Sequence, residues 1–175
     1  MDAAHFVHAA FLGYLWCFAR IFIKSPSGRQ RLNVLGALNA ITKELVLFTN
    51  VGYINADCVC QLLHDIKAKS VDLPITVILD NARYQHCELV KTCAELLGIE
   101  LLFLPTYSPN LNLIERLWRF VKKEALYSKY YEAFSDFKGG IMDCLNEATG
   151  KHKNALATLL TLEFQTFNKA QISAA

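Results

Sequence analysis

The chain has 175 residues, 53% of them apolar, and its 18 basic and 16 acidic side chains leave a formal net charge of +2. That is the size of one globular domain, able to bury roughly 70% of the surface its unfolded chain exposes. Eight glycines, four prolines and 19% charged residues exclude collagen, coiled coil and disordered linker. The small net charge hides one local patch: residues 20–31 carry Arg20, Lys24, Arg29 and Arg31 with no acid among them.

Residues 3–19 contain no Lys, Arg, Asp or Glu. They still lack the basic start of a signal peptide, and His5, His8 and Gly13 interrupt the run. Further on the pattern is two-fold, with Tyr14, Trp16, Phe18, Arg20 and Phe22 alternating with Leu15, Cys17, Ala19, Ile21 and Ile23. Strand, turn, strand is the expectation, with no membrane span and a cytoplasmic protein. The six cysteines (Cys17, Cys58, Cys60, Cys87, Cys93 and Cys144) show no C-x-x-C spacing and are expected as reduced, mostly buried thiols.

After the Ser25-Pro26-Ser27-Gly28 turn, residues 31–39 and 44–49 read as antiparallel partners across Thr42-Lys43. Asn55 can cap a helix whose stripe is Cys58, Val59, Leu62, Leu63 and Ile66, ending near Ser70. Residues 74–79 are a nearly continuous apolar run, as in a central strand covered on both faces, and stop at Asp80-Asn81. A helix over 87–97 ends at Gly98, a second buried strand takes 99–104, and the loop 105–110 leads into a helix over 113–126. From Glu132 onward the chain reads as helical, with one stripe of Phe134, Phe137, Ile141 and Leu145 and another of Leu156, Leu159, Leu160 and Phe164. The order predicts a mixed α/β layer structure: an antiparallel meander, then parallel strands, with helices flanking the sheet. The expected division is a domain over 1–130 and a helical extension over 131–175 packed on it.

Two carboxylates stand where such sheets do chemistry. Asp80 ends a strand, a position that costs free energy unless a cation, a donor or solvent meets the charge. Asp80-Asn81 can equally form a turn or cap the next helix. Glu115 lies off the apolar stripe of Ile114, Trp118, Val121 and Ala125, about 100° round the helix from Ile114. It can also form a capping box with Asn112 or pair with Arg119.

The joint pattern carries more than either acid. An apolar strand ends in Asp80-Asn81, thirty-four residues intervene, and Ile114-Glu115-Arg116-Leu117-Trp118 follows on a helix. With Leu104-Pro-Thr-Tyr-Ser-Pro109 and residues 31–38, this resembles the catalytic domain of bacterial insertion-sequence transposases of the mariner-like DDE superfamily. The resemblance covers about residues 1–150. It implies a ribonuclease-H-like fold on which two Asp and one Glu hold two Mg²⁺ or Mn²⁺ ions. By that resemblance the first Asp lies on the first strand, where Asp2 is the only acid. Asp2, Asp80 and Glu115 are then the catalytic and metal-binding set, with Asp2 as the bridge. Hard oxygen ligands suit Mg²⁺ or Mn²⁺, and a pair of ions about 3.5–4 Å apart stabilises both the attacking and leaving oxygens of a phosphodiester.

Arg29, Arg31, Arg116, Arg119, Lys122 and Lys123 are the expected DNA contacts, to phosphates and without base specificity, although each is also an ordinary surface residue. His86 is expected to be structural or at the surface. Family members carry an amino-terminal helix-turn-helix, so the expectation is an amino-terminally truncated catalytic domain, working as a homodimer or beside a full-length transposase. Leu113 stands where the family often has Pro. Two rivals remain: a non-catalytic remnant that binds DNA or a full-length transposase, and a receiver-like sheet with Asp80 as phosphoryl acceptor.

Overall fold

The computed structural model describes residues 1–8, 16, 18–19, 22, 30–70, 73–105 and 108–164. The expected strand–turn–strand over 14–24 lies almost wholly outside the described residues, as does Arg29. The chain opens with an antiparallel meander of β1 (Asp2–Val7), β2 (Arg31–Leu38) and β3 (Leu45–Asn50). Asp2 lies opposite Gly36, and Val7 opposite Arg31. The β2–β3 turn is held by Asn39, whose Oδ1 accepts from the backbone N–H groups of Ile41 and Thr42. Lys43 there takes a left-handed φ of 63°.

Helix α1 (Ala56–Lys69) runs as its signals predict: Asn55 Oδ1 accepts from Cys58 N at 3.1 Å, the apolar stripe is buried, and Ser70 closes the last turn. β4 (Ile75–Leu79), α2 (Glu88–Leu96) and β5 (Ile99–Phe103) form a parallel pair with its crossover helix, and Gly98 supplies the positive φ between α2 and β5. β4 departs from expectation. Val77 and Leu79 are buried, but Thr76 and Ile78 on the other face are exposed, and so is Leu102 on β5. Both α1 and α2 pack on the Val77/Leu79 face, and among the described residues nothing covers the opposite one. An apolar run of five residues cannot tell one buried face from two.

The meander and the β4–β5 pair are separate hydrogen-bonded sheets. They meet where the Met1 nitrogen donates to the Ile78 carbonyl at 2.7 Å, and where Met1 and Leu35 enter the same apolar cluster as α1, β4, α2 and β5. The other face of the meander, with Ala4, Phe6, Leu32 and Val34, packs on α3 (Leu113–Val121), α4 (Phe134–Asn146) and α5 (Lys153–Leu159). α3 continues into a π-helical turn over Lys122–Leu126, and the Tyr131 hydroxyl donates to the Ala125 carbonyl there. Of the two expected carboxyl-terminal stripes, Phe137, Ile141, Leu145, Leu156 and Leu160 are buried, whereas Leu159 is exposed. Cys58 and Cys144 are buried and Cys60, Cys87 and Cys93 half-buried, all five as free thiols; Cys17 lies outside the described residues. Among the described residues no helix is long and apolar enough to cross a membrane.

Candidate active site

The site is built where the two sheets meet. Asp2 opens β1 and is buried with 7% exposure, its Oδ2 accepting from the indole Nε1 of Trp118 at 3.1 Å. A buried carboxylate without a cationic side-chain partner resists ionisation. Burial does most to push the Asp2 carboxyl up from its ordinary 3.8 to about 7; the charge of Glu115 adds to this, and that of Asp80 adds less. The Ala3 backbone N–H acts against the rise. Asp2 therefore lies within the fields of both other acids, although the three come from a strand, a strand end and a helix.

Asp80 follows the last residue of β4 and is half-buried. Its Oδ1 accepts from Ala82 N at 3.3 Å, and Asn81 Nδ2 donates to the Leu104 carbonyl at 2.7 Å, which ties the strand end to the end of β5. The turn foreseen at Asp80-Asn81 is present. The helix cap is not: Cys87 occupies that position on α2, with no side-chain cap bond.

Glu115 stands half-buried in the first turn of α3. Asn112 precedes the helix but makes no capping hydrogen bond; its Nδ2 reaches the Met1 carbonyl at 3.4 Å instead. The capping box is therefore absent, and Asn112 fastens the start of α3 to the start of β1. Among the described residues no ion pair joins Glu115 to Arg119. Two further groups share the neighbourhood. Burial lowers the Met1 amine to about 6, with Asp2 and Asp80 pulling the other way. Burial likewise raises the Tyr84 phenol to about 12, with smaller contributions from Asp80 and Asp2, so it stays protonated near neutral pH.

Three carboxylates with hard oxygen donors suit a divalent cation in kind. In position they are looser: among the described residues no three Asp, Glu, His or Cys side chains are grouped closely enough to hold a metal ion. They share an electrostatic neighbourhood without meeting at one point.

The basic residues divide. Arg116 is held by the chain itself, donating to the carbonyls of Leu159, Thr161 and Glu163 with its guanidinium 5.2 Å from the Phe164 ring centroid. Arg119 and Lys123 are exposed and line a groove of about 690 Å³ between α3 and α5, with Phe120, Glu124 and Thr158. Lys122 is exposed. Arg31 donates to the Gly52 carbonyl and covers the Tyr53 ring, beside Val7 at the far end of β1, roughly 17 Å of strand from Asp2. His86 is exposed, its ring 4.4 Å from that of Phe103.

Sequence reading missed Trp118, Gly36 and Asn112 as parts of this site. The one local signal was Gly36 in the middle of an apolar strand, since an interior glycine marks a close approach. A Cβ there would lie 2.8 Å from Trp118 Cη2. The receiver-like reading of Asp80 calls for a parallel sheet, and the meander is antiparallel.

Known proteins agree with this architecture. Residues 17–138 match the family model described as DDE superfamily endonuclease, a stretch that includes Asp80 and Glu115 but not Asp2. No curated protein matches the chain. Among solved structures, the Mos1 transposase paired-end complex with the left transposon end aligns with TM-score 0.57 at 14% identity, over 93% of this chain and 55% of that one. The Mos1 mariner paired-end complex with Mn gives 0.58 at 13% identity, over 95% and 55%. The Mos1 catalytic domain with Raltegravir and Mg gives 0.51 at 14%, over 79% and 78%. The likeness to these structures is one of fold, and the chain spans about half the length of the paired-end transposase chains. Because the family model covers more than half of the sequence, the chain belongs to the DDE superfamily endonucleases.

Proposed function

We propose that this chain is a transposase catalytic domain that cleaves DNA strands and joins them to a target, with Asp2, Asp80 and Glu115 as its metal-binding and catalytic set. The observation that carries the reading is the Asp2 carboxyl, raised to about 7 by its burial and then by Glu115 and Asp80 from two other elements. Structural uses of a buried acid favour a cation or several donors; here the next strongest influence is another acid. Two Mg²⁺ or Mn²⁺ ions, when bound, would stabilise charge on the attacking and leaving oxygens of a phosphodiester. Asp2 would bridge, with Asp80 and Glu115 each completing one side. The Mos1 structures solved with Mn and Mg support that choice of ion.

Arg119, Lys122 and Lys123 present charge beside the site for DNA phosphates, with Arg31 and Arg29 as outlying contacts. Arg116 belongs to the same basic set, although its guanidinium is engaged by the carboxyl-terminal segment. A homodimer, or pairing with a full-length transposase, fits the paired-end assemblies of Mos1. A cytoplasmic location goes with reduced thiols and a DNA substrate.

The test is nicking of duplex DNA with Mn²⁺, run beside Asp80→Asn and Glu115→Gln. The expected result is a metal-dependent cut that falls to background in both variants. Salt-sensitive DNA binding with no cut would replace this reading with that of a non-catalytic DNA-binding remnant. Arg119→Ala and Lys123→Ala should each lower the slope of log affinity against log salt by about 1.

A further inference from the structure

The environment of Asp2 contains more than a ligand needs for burial alone. Trp118 is 2% exposed and gives its only polar atom to Asp2 Oδ2. The indole fits because β2 carries Gly36 directly across from Asp2, where a Cβ would lie 2.8 Å from Cη2 and 3.0 Å from Cζ2. Phe6, two strand steps beyond Ala4 on the same face of β1, meets the indole edge-on with centroids 6.5 Å apart. Three elements thus fix one N–H against one carboxylate oxygen.

The donor is chemically suited to such a task. An indole N–H donates and cannot accept, so it fixes the carboxylate's orientation. Being neutral, it leaves the negative charge that a cation requires, where Arg or Lys would neutralise it. Glu115 and Trp118 are also three residues apart on α3, neighbours on one helix surface. One rigid helix therefore carries both an acid of the set and the group that aims another.

We propose that Trp118 is a positioning residue, holding the Asp2 carboxylate so that Asp2 and Glu115 can take a divalent cation together. This rests on the reading of Asp2 as a metal ligand given above. Outer hydrogen bonds to metal-binding side chains typically change affinity about 10–100-fold when removed.

Mn²⁺ binding is measured by calorimetry on the unsubstituted chain, Asp2→Asn and Trp118→Phe, with thermal midpoints recorded for each. In parallel, the two indole N–H cross-peaks of ¹⁵N-labelled protein are followed through a Mg²⁺ titration, the exposed Trp16 serving as internal reference. Asp2→Asn should abolish binding, Trp118→Phe should weaken it about tenfold or more while remaining folded, and the Trp118 cross-peak should move saturably. Unchanged Mn²⁺ affinity in folded Trp118→Phe overturns the proposal and leaves Asp2 as a ligand. If that variant does not fold, a Trp118 cross-peak that stays fixed as Mg²⁺ saturates the unsubstituted chain overturns it equally. Equal binding by Asp2→Asn and the unsubstituted chain, or none by either, removes the ligand role of Asp2 and this inference with it.

Discussion

Asp2 makes stability depend on pH in a direction opposite to that of most paired carboxylates. Its carboxyl titrates near 3.8 when free and at about 7 in the fold, so the native state holds the proton more tightly. The resulting stabilisation is complete below about pH 4 and is lost as pH rises through about 7. Without divalent ions, the Asp2 contribution to stability should fall over this window by at most about 1.4 kcal/mol per pH unit, read as a falling thermal midpoint. Asp2→Asn should remove that part of the slope. Below about pH 5 the Met1 amine stays protonated and does not contribute; above that its lowered value, about 6 against 8.0, adds stability as pH rises and offsets part of the fall. Arg116→Ala acts elsewhere. Losing its donors leaves the carbonyls of Leu159, Thr161 and Glu163 to water, which should cost about 1–3 kcal/mol and speed proteolysis after residue 159. Of the proposed acids, Asp80 and Glu115 were legible as residues, because a charge at a strand end or off an apolar stripe stands out from its surroundings, whereas Asp2 was singled out only through the family resemblance. Trp118 was not: its spacing marks a core position, and the partner of its N–H lies 116 residues away, beyond any local pattern.

At the scale of elements, the strongest local signals gave the most accurate boundaries. Asn55 caps α1 and Gly98 ends the α2 segment, each acting through its own backbone geometry. The capping box at α3 failed for a tertiary reason, since Met1 offers Asn112 a carbonyl that a helix-only pattern does not contain. The π-turn over Lys122–Leu126 left no trace in composition, because a change of hydrogen-bond step alters no apolar period long enough to notice. β4 reads from sequence as covered twice and, among the described residues, is covered once, which gives a direct contrast. Ile78→Thr and Leu102→Thr should change stability by no more than about 0.5 kcal/mol, while Leu79→Ala on the packed face should cost about 2–5 kcal/mol in chemical denaturation. Comparable losses at Ile78 would mean that this face is covered.

For the whole molecule, the α/β order, the meander and the crossover pair could be inferred from the chain, whereas the way the sheets are joined could not. Bound cations should appear as global stability. At about one hundred times its dissociation constant Mn²⁺ contributes about 2.7 kcal/mol, roughly 5–10 °C in midpoint for a domain of this length. Asp80→Asn and Glu115→Gln should each abolish that rise at about pH 7, where the Asp2 proton is readily displaced. The hydrogen bond from the Met1 amine to the Ile78 carbonyl between the sheets then acquires a mechanical meaning. Asp2 belongs to one slab and Asp80 to the other, so an ion held by both, as proposed, would act as a rivet. Without an ion the slabs are joined by that bond and the shared apolar cluster, and with one they would have to come apart together. Unfolding should accordingly sharpen into one concerted step as Mn²⁺ is added.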